Sequence, residues 1–178
     1  MKKFLIIIII VSISCKEAPK SDNTSSSVDG IEASHDNIQL EVYDYDGLEP
    51  LINKKDDEIH VVNFWATWCA PCVKELPYFE KINSEYKDID MLLVSLDFPR
   101  QYEKKLKPFL KEKQLQSKVV CLNDVDQNRW IPAIDSLWSG ALPATIIYKG
   151  DKRKFFEKSF TYEELEYEIK QFLNYIMI

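Results

Sequence analysis

Cys69 and Cys72 stand with two residues between them, shortly after a near-continuous apolar run from Ile59 to Trp65. Such a run reads as a strand buried on both faces. Val73, Leu76, Phe79, Ile82 and Tyr86 then recur at helical spacing. A helix is therefore predicted to start near Pro71, with a kink at Pro77. Proline in a first helical turn costs no hydrogen bond. A cysteine at that point meets free backbone N–H groups and partial positive charge, and both stabilise a thiolate. The thiolate is the form that attacks disulfides. Two intervening residues put the second sulfur one turn away, placed to resolve a mixed disulfide formed by the first. The same pair also suits a structural disulfide or half of a zinc site. Zinc needs further ligands, and His35, His60 and Cys121 lack regular spacing, so neither metal nor cofactor is expected.

Around this junction the chain alternates strands and helices. Ile38, Leu40 and Val42 alternate with polar residues as in a short strand. Leu48, Leu51 and Ile52 suit a short helix, and Met91 to Leu96 a second buried strand. Tyr102 to Leu115 reads as an amphipathic helix broken or kinked at Pro108, Val119 to Leu122 as a strand, and Asn128 to Trp138 as a helix. Ala144–Tyr148 and Lys154–Phe156 flank the turn Lys149-Gly150-Asp151, a hairpin signature. Thr161 with Glu164 makes a capping box that opens a last helix carrying Leu165, Ile169 and Phe172. This alternation points to an α/β sheet with helices on both faces.

The first residues are of another kind. Lys2 and Lys3 precede the nearly unbroken apolar stretch Phe4–Ile13, followed by Ser14 and Cys15. Ten residues are too few to cross a bilayer core, which takes roughly 20, but they suit a signal-peptide hydrophobic region. Residues 1–14 are expected to be a signal peptide. An apolar run ending in a small residue and Cys resembles the lipobox of bacterial lipoproteins, which implies a lipid on Cys15; Ser12 departs from the Leu, Val or Ile usual there. Residues 15–37, rich in Ser and poor in apolar side chains, are expected to be a linker. Its root-mean-square span would be roughly 25 Å. Residues 38–178 are then the folded domain. With 23 basic against 29 acidic side chains, the chain offers no basic face for nucleic acid.

Phe64-Trp65-Ala66-Thr67-Trp68-Cys69-Ala70-Pro71-Cys72, followed by Glu75-Leu76-Pro77, resembles the TlpA-like branch of the thioredoxin superfamily. The resemblance covers roughly Ile38 to the C-terminus. It implies a thioredoxin-like α/β fold with a central mixed sheet flanked by helices. It also implies an exported, membrane-anchored thiol–disulfide oxidoreductase facing the periplasm or cell envelope. Such a protein would act as a monomer on disulfide-bearing exported proteins, recharged by a membrane thiol protein, with cytochrome c maturation as one service. Residue by residue, Cys69 would be the exposed nucleophile and Cys72 the buried resolving thiol. Trp65 and Trp68, with Pro71, would shape the contact face. Pro143 resembles the cis-proline opposite the sulfurs, with the backbone of Leu142 binding extended substrate. Glu75 would handle the proton of the buried thiol. Thioredoxin itself has a buried Asp where this chain has Asn63, which cannot titrate, so the proton role falls to Glu75.

Other residues carry plainer expectations. Cys121 reads as a small buried hydrophobe, and His35 and His60 as solvated polar residues. Lys149–Lys154 reads as a solvated hairpin tip, and Phe155, Phe156 and Phe160 as core. Three other functions fit the same motif to different degrees: a disulfide oxidase or isomerase, a peroxiredoxin-like peroxidase, or a binding module braced by its disulfide. The peroxidase reading wants Thr or Ser three residues before its cysteine, where this chain has Ala66.

Overall fold

A computed structural model describes residues 38–173; the expected signal peptide, Cys15, the linker and His35 lie outside them. The elements follow in the order β1 (Glu41–Tyr43), α1 (Tyr45–Ile52), β2 (Ile59–Trp65), α2 (Ala70–Glu85), β3 (Ile89–Ser95), α3 (Lys107–Lys113), β4 (Lys118–Leu122), α4 (Gln127–Ile134), β5 (Ala144–Lys149), β6 (Lys152–Phe156) and α5 (Tyr162–Leu173). Six strands form one mixed sheet in the order β1-β4-β3-β2-β5-β6. β1, β4, β3 and β2 run parallel to their neighbours, while β5 pairs antiparallel with β2 and with β6. The α/β sheet with helices on both faces is the architecture expected.

β2 lies at the centre, and all seven of its residues are buried. Alternation then sorts its side chains. Val61 and Trp65 join the layer under α2 and α5, with Leu76, Phe79, Leu165 and Phe172. Val62 and Phe64 join the opposite layer, with Leu48 and Ile52 of α1 and Trp130 and Ile134 of α4. α2 buries Cys72, Glu75, Leu76, Phe79 and Ile82 along one stripe and runs as one helix through Pro77. Gly150, at φ 55, turns the β5–β6 hairpin, a conformation glycine adopts without steric cost. The capping box at Thr161 forms: its hydroxyl accepts from Glu164 N–H at 3.3 Å, and its own N–H donates to Glu164 at 2.9 Å.

Three boundaries differ from expectation. β1 is confined to Glu41–Tyr43, and Val42, expected to face inward, is 44% exposed; Leu40 packs against the core before the strand begins. The expected Tyr102–Leu115 helix is a wide π turn over Tyr102–Leu106 followed by α3. Its irregularity precedes Pro108, which occupies the first turn of α3 where no N–H is needed. α4 ends at Ile134, while Trp138 lies beyond it, its indole N–H donating to Ala141 O at 2.9 Å. Among the described residues no helix is long and apolar enough to cross a membrane.

Candidate active site

β2 ends at Trp65 and α2 starts at Ala70, so a four-residue link carries the chain from sheet to helix. Cys69 is the N-cap of α2: its sulfur accepts the Cys72 N–H at 3.3 Å, and its carbonyl accepts the Val73 N–H at 3.0 Å. A cap normally supplies an oxygen to the orphan amides of the first turn; here a sulfur does so. Cys69 and Cys72 form a disulfide. Cys69, expected to be exposed, is only 6% exposed with its sulfur tied in the disulfide, and Cys72 is fully buried as expected. Pro71 lies exposed between them, in the first turn of α2.

The two tryptophans part company. Trp68 is 50% exposed and stacks on Phe98 with ring centres 6.4 Å apart. Trp65, expected on the contact face, is fully buried against Phe109 at 5.4 Å. It stands within the strand, on the α2 side of the sheet, so it braces the core from beneath and touches nothing outside. The Leu142–Pro143 peptide bond is cis. Pro143 is buried, and Leu142, partly buried, packs against both core layers. The carboxylate of Glu157 holds the preceding turn, accepting from Ser139 N–H at 3.2 Å and Ala141 N–H at 2.9 Å. Beside this face runs a groove of about 350 Å³ whose lining includes Trp68, Leu96, Phe98, Val125, Ile131 and Leu142.

Glu75 sits one helical turn beyond Cys72, so both side chains point to the same face. It is 1% exposed. One carboxylate oxygen accepts from Asn63 Nδ2 at 3.0 Å and the other from Phe160 N–H at 2.7 Å. Burial pushes its pKa up to about 7, against the pull of these two hydrogen bonds. Asn63 also donates to Thr145 Oγ1 at 3.1 Å, while its own Oδ1 has no partner. A carboxyl titrating near neutrality, one helical turn from Cys72, can take up and return a proton in the working pH range.

His60 departs from the expectation of a solvated residue. It is 1% exposed, at the opposite end of β2 from the cysteines. Its Nδ1 lies 2.9 Å from an Asp90 carboxylate oxygen and its Nε2 2.6 Å from one of Asp56. Asp56, Glu58 and His60 present donor atoms within 4.8 Å of one another, but both ring nitrogens of His60 are already engaged by carboxylates. Cys121 is free and fully buried, and burial pushes its thiol up to about 11. Two groups near the site went unread in the sequence. Ser95 and Asp97, at the end of β3, lie against the link before Cys69. A Ser-x-Asp closing a buried strand was the available signal.

The thioredoxin family model matches residues 41–105. Among curated relatives, thioredoxin H9 of Arabidopsis thaliana is 30% identical over 129 residues, covering 68% of this chain and 91% of that protein. A thiol-disulfide oxidoreductase ResA of Bacillus cereus is 33% identical over 90 residues, covering 51% of this chain and 48% of its own length. The chain thus spans about half the length of that curated relative. Among solved structures, a thioredoxin-related protein from Neisseria meningitidis serogroup B superposes with a TM-score of 0.57 at 23% identity, covering 68% of this chain and 90% of the other. That likeness concerns the fold.

Proposed function

Because this chain belongs to the thioredoxin family, we propose that it is a thiol–disulfide oxidoreductase that reduces disulfides in exported proteins. The observation that carries the reading is Cys69 at the N-cap of α2, its sulfur within reach of a backbone amide, with Cys72 buried one turn behind. In the reduced protein the Cys69 thiolate attacks a substrate disulfide. The substrate S–S bond breaks, a Cys69–substrate disulfide forms, and the other substrate sulfur leaves as thiolate. Glu75 takes the proton of Cys72, whose thiolate attacks Cys69. The second substrate sulfur leaves, and the Cys69–Cys72 disulfide remains. Two electrons pass from the protein to the substrate, and an external dithiol must return them.

The exposed surface around Cys69 supports a polypeptide substrate. Trp68, the residue before Cys69, and Phe98, each about half exposed, line the groove together with Leu142, the residue before Pro143. The sequence Lys2 to Cys15 supports export and a lipid tether at Cys15, and hence an electron donor in the same membrane. Replacing Cys72 by Ser should trap mixed disulfides through Cys69 in cells. Recovery of none would remove the assigned roles. A reduction potential above about -150 mV, close to that of a strong oxidant, would reverse the proposed direction and make the protein an oxidase. Labelling with a radioactive fatty acid, lost in Cys15→Ser, tests the tether.

A further inference from the structure

The link between β2 and α2 is short, and its geometry decides where Cys69 and Trp68 stand. It is fastened from the neighbouring strand by one carboxylate. Asp97 Oδ2 accepts the Thr67 backbone N–H at 2.9 Å and the Ser95 hydroxyl at 2.9 Å, and Oδ1 accepts the Thr67 hydroxyl at 2.5 Å. Asp97 N–H donates back to Ser95 Oγ at 3.1 Å. Immediately alongside, Leu96 N–H donates to Trp65 O at 2.8 Å, and Cys69 N–H closes a turn onto Ala66 O at 3.1 Å. Asp97 is 1% exposed, and the groups that donate to it, on Thr67 and Ser95, are neutral. Burying a carboxylate is costly unless its oxygens are satisfied. A carboxylate that spends itself on three neutral donors, two of them from Thr67, is placed to hold that residue.

We propose that Asp97 is the positioning residue of the active-site link: by fixing Thr67 it sets the approach of Trp68 and Cys69 to a partner disulfide. The inference rests on the exchange chemistry proposed above, and it adds a residue that touches neither sulfur nor substrate. Its bonds do not run through the Cys69–Cys72 bond, so the clamp persists when the disulfide opens. It then supplies side-chain restraint on the link just when Cys69 has lost its covalent tie. Only acceptors are needed at Oδ2. An asparagine can keep one oxygen on the Thr67 N–H and the Ser95 hydroxyl while its NH2 donates to Thr67 Oγ1. The amide should therefore rescue what alanine loses.

The test uses the full chain in a Cys72→Ser background. Two rates of Cys69 are followed: exchange with a polypeptide disulfide, and alkylation by iodoacetamide, which makes little demand on approach geometry. Asp97→Ala should slow exchange by about ten- to a hundredfold, the scale of a misplaced reacting group, and slow alkylation far less. Asp97→Asn should restore most of the exchange rate. Thr67→Val, which keeps the backbone N–H bond, should fall between them and supplies the answer if Asp97→Ala does not fold. Amide hydrogen exchange at Thr67 should quicken in Asp97→Ala and stay slow in Asp97→Asn. That readout needs no activity, so an inactive parent protein would sink the proposed function and still leave the clamp measured. Asp97 is a mere fold support, and the inference fails, if Asp97→Ala lowers both rates equally. It fails also if Asp97→Asn is as damaging as Asp97→Ala, or if Thr67 protection is unchanged.

Discussion

His60, near the start of β2, and Glu75, bonded to Asn63 three residues further along that strand, are each 1% exposed. Their surroundings treat charge in opposite ways. Burial alone would strip the proton from His60, but its hydrogen bonds to Asp90 and Asp56 outweigh burial and raise its pKa. The hydrogen bond from His60 leads the causes that hold Asp90 down at about 2, and Lys54, 2.5 Å from Asp90, adds to it. The His60 ring stacks on Tyr148 at 4.6 Å. Glu75 is met by two N–H donors, from Phe160 and Asn63, and burial outweighs them, so its pKa rises to about 7. The contrast is instructive. A buried histidine met by opposite charge holds its proton more tightly and serves as a brace. Glu75, with only two N–H donors against its burial, sits at the threshold of losing its charge, which is the condition for moving protons.

The comparison breaks first at the brace. His60→Ala should cost about 3 kcal/mol, from a lost stack, two lost hydrogen bonds and a cavity, while leaving the exchange rate of the folded protein intact. Denaturant melts alongside turnover would show it. Slower exchange at full stability would mean that the two ends are coupled. Glu75→Gln should do the reverse. Its carbonyl can accept from Phe160, and its amide can donate to Asn63 Oδ1 once the Asn63 amide flips, with Thr145 Oγ1 turning from acceptor to donor. Wild-type Glu75 binds its proton more tightly folded than unfolded, from 4.5 up to about 7. Its favourable contribution is therefore complete below pH 4.5 and is lost as pH rises through about 7. Above that pH the buried charge costs about 3 kcal/mol, so Glu75→Gln should gain up to that much near pH 8 and little near pH 4. An unchanged slope of stability against pH between 4.5 and 7 would remove Glu75 from the account. The same variant should slow exchange about a hundredfold, the lower end of what a positioned acid–base group supplies, visible as the loss of a pH-dependent limb.

Smaller effects sharpen the contrast at the His60 end. The contribution of His60 is complete below its unfolded value of 6.5 and fades as pH rises through its higher folded value. That of Asp90 is present above 3.8 and is lost as pH falls toward about 2. His60→Ala should flatten both slopes in a pH series of melts. Smallest of all is the expectation for Cys121: a thiol reagent should leave it unmodified until the protein unfolds.

Much of the fold was legible because it is written in local pattern. The apolar runs at 59–65 and 91–96, the helical spacing after Pro71, the hairpin at Gly150 and the box at Thr161 all depend on neighbours in sequence. What escaped depends on neighbours in space. His60 lies inside an apolar run, which hinted at burial, but its partner Asp90 comes from the adjacent strand β3. Trp65 adjoins the motif, and only the facing of β2 decides that it points inward. Asp97 is one acidic residue among many until the end of β3 is laid beside the link. The irregular start of α3 sits ahead of Pro108, because that proline fits the first helical turn.

The central claim is that the cap position of α2 makes Cys69 a thiolate near neutral pH. Its pKa in the reduced full chain can be read from thiolate ultraviolet absorbance, or from alkylation rate against pH, with Cys72→Ser isolating its signal. The account predicts a midpoint at or below about 7.5, the range reached by cysteines at helix N-termini. A midpoint at or above about 8.5, the value of an ordinary free thiol, would contradict it.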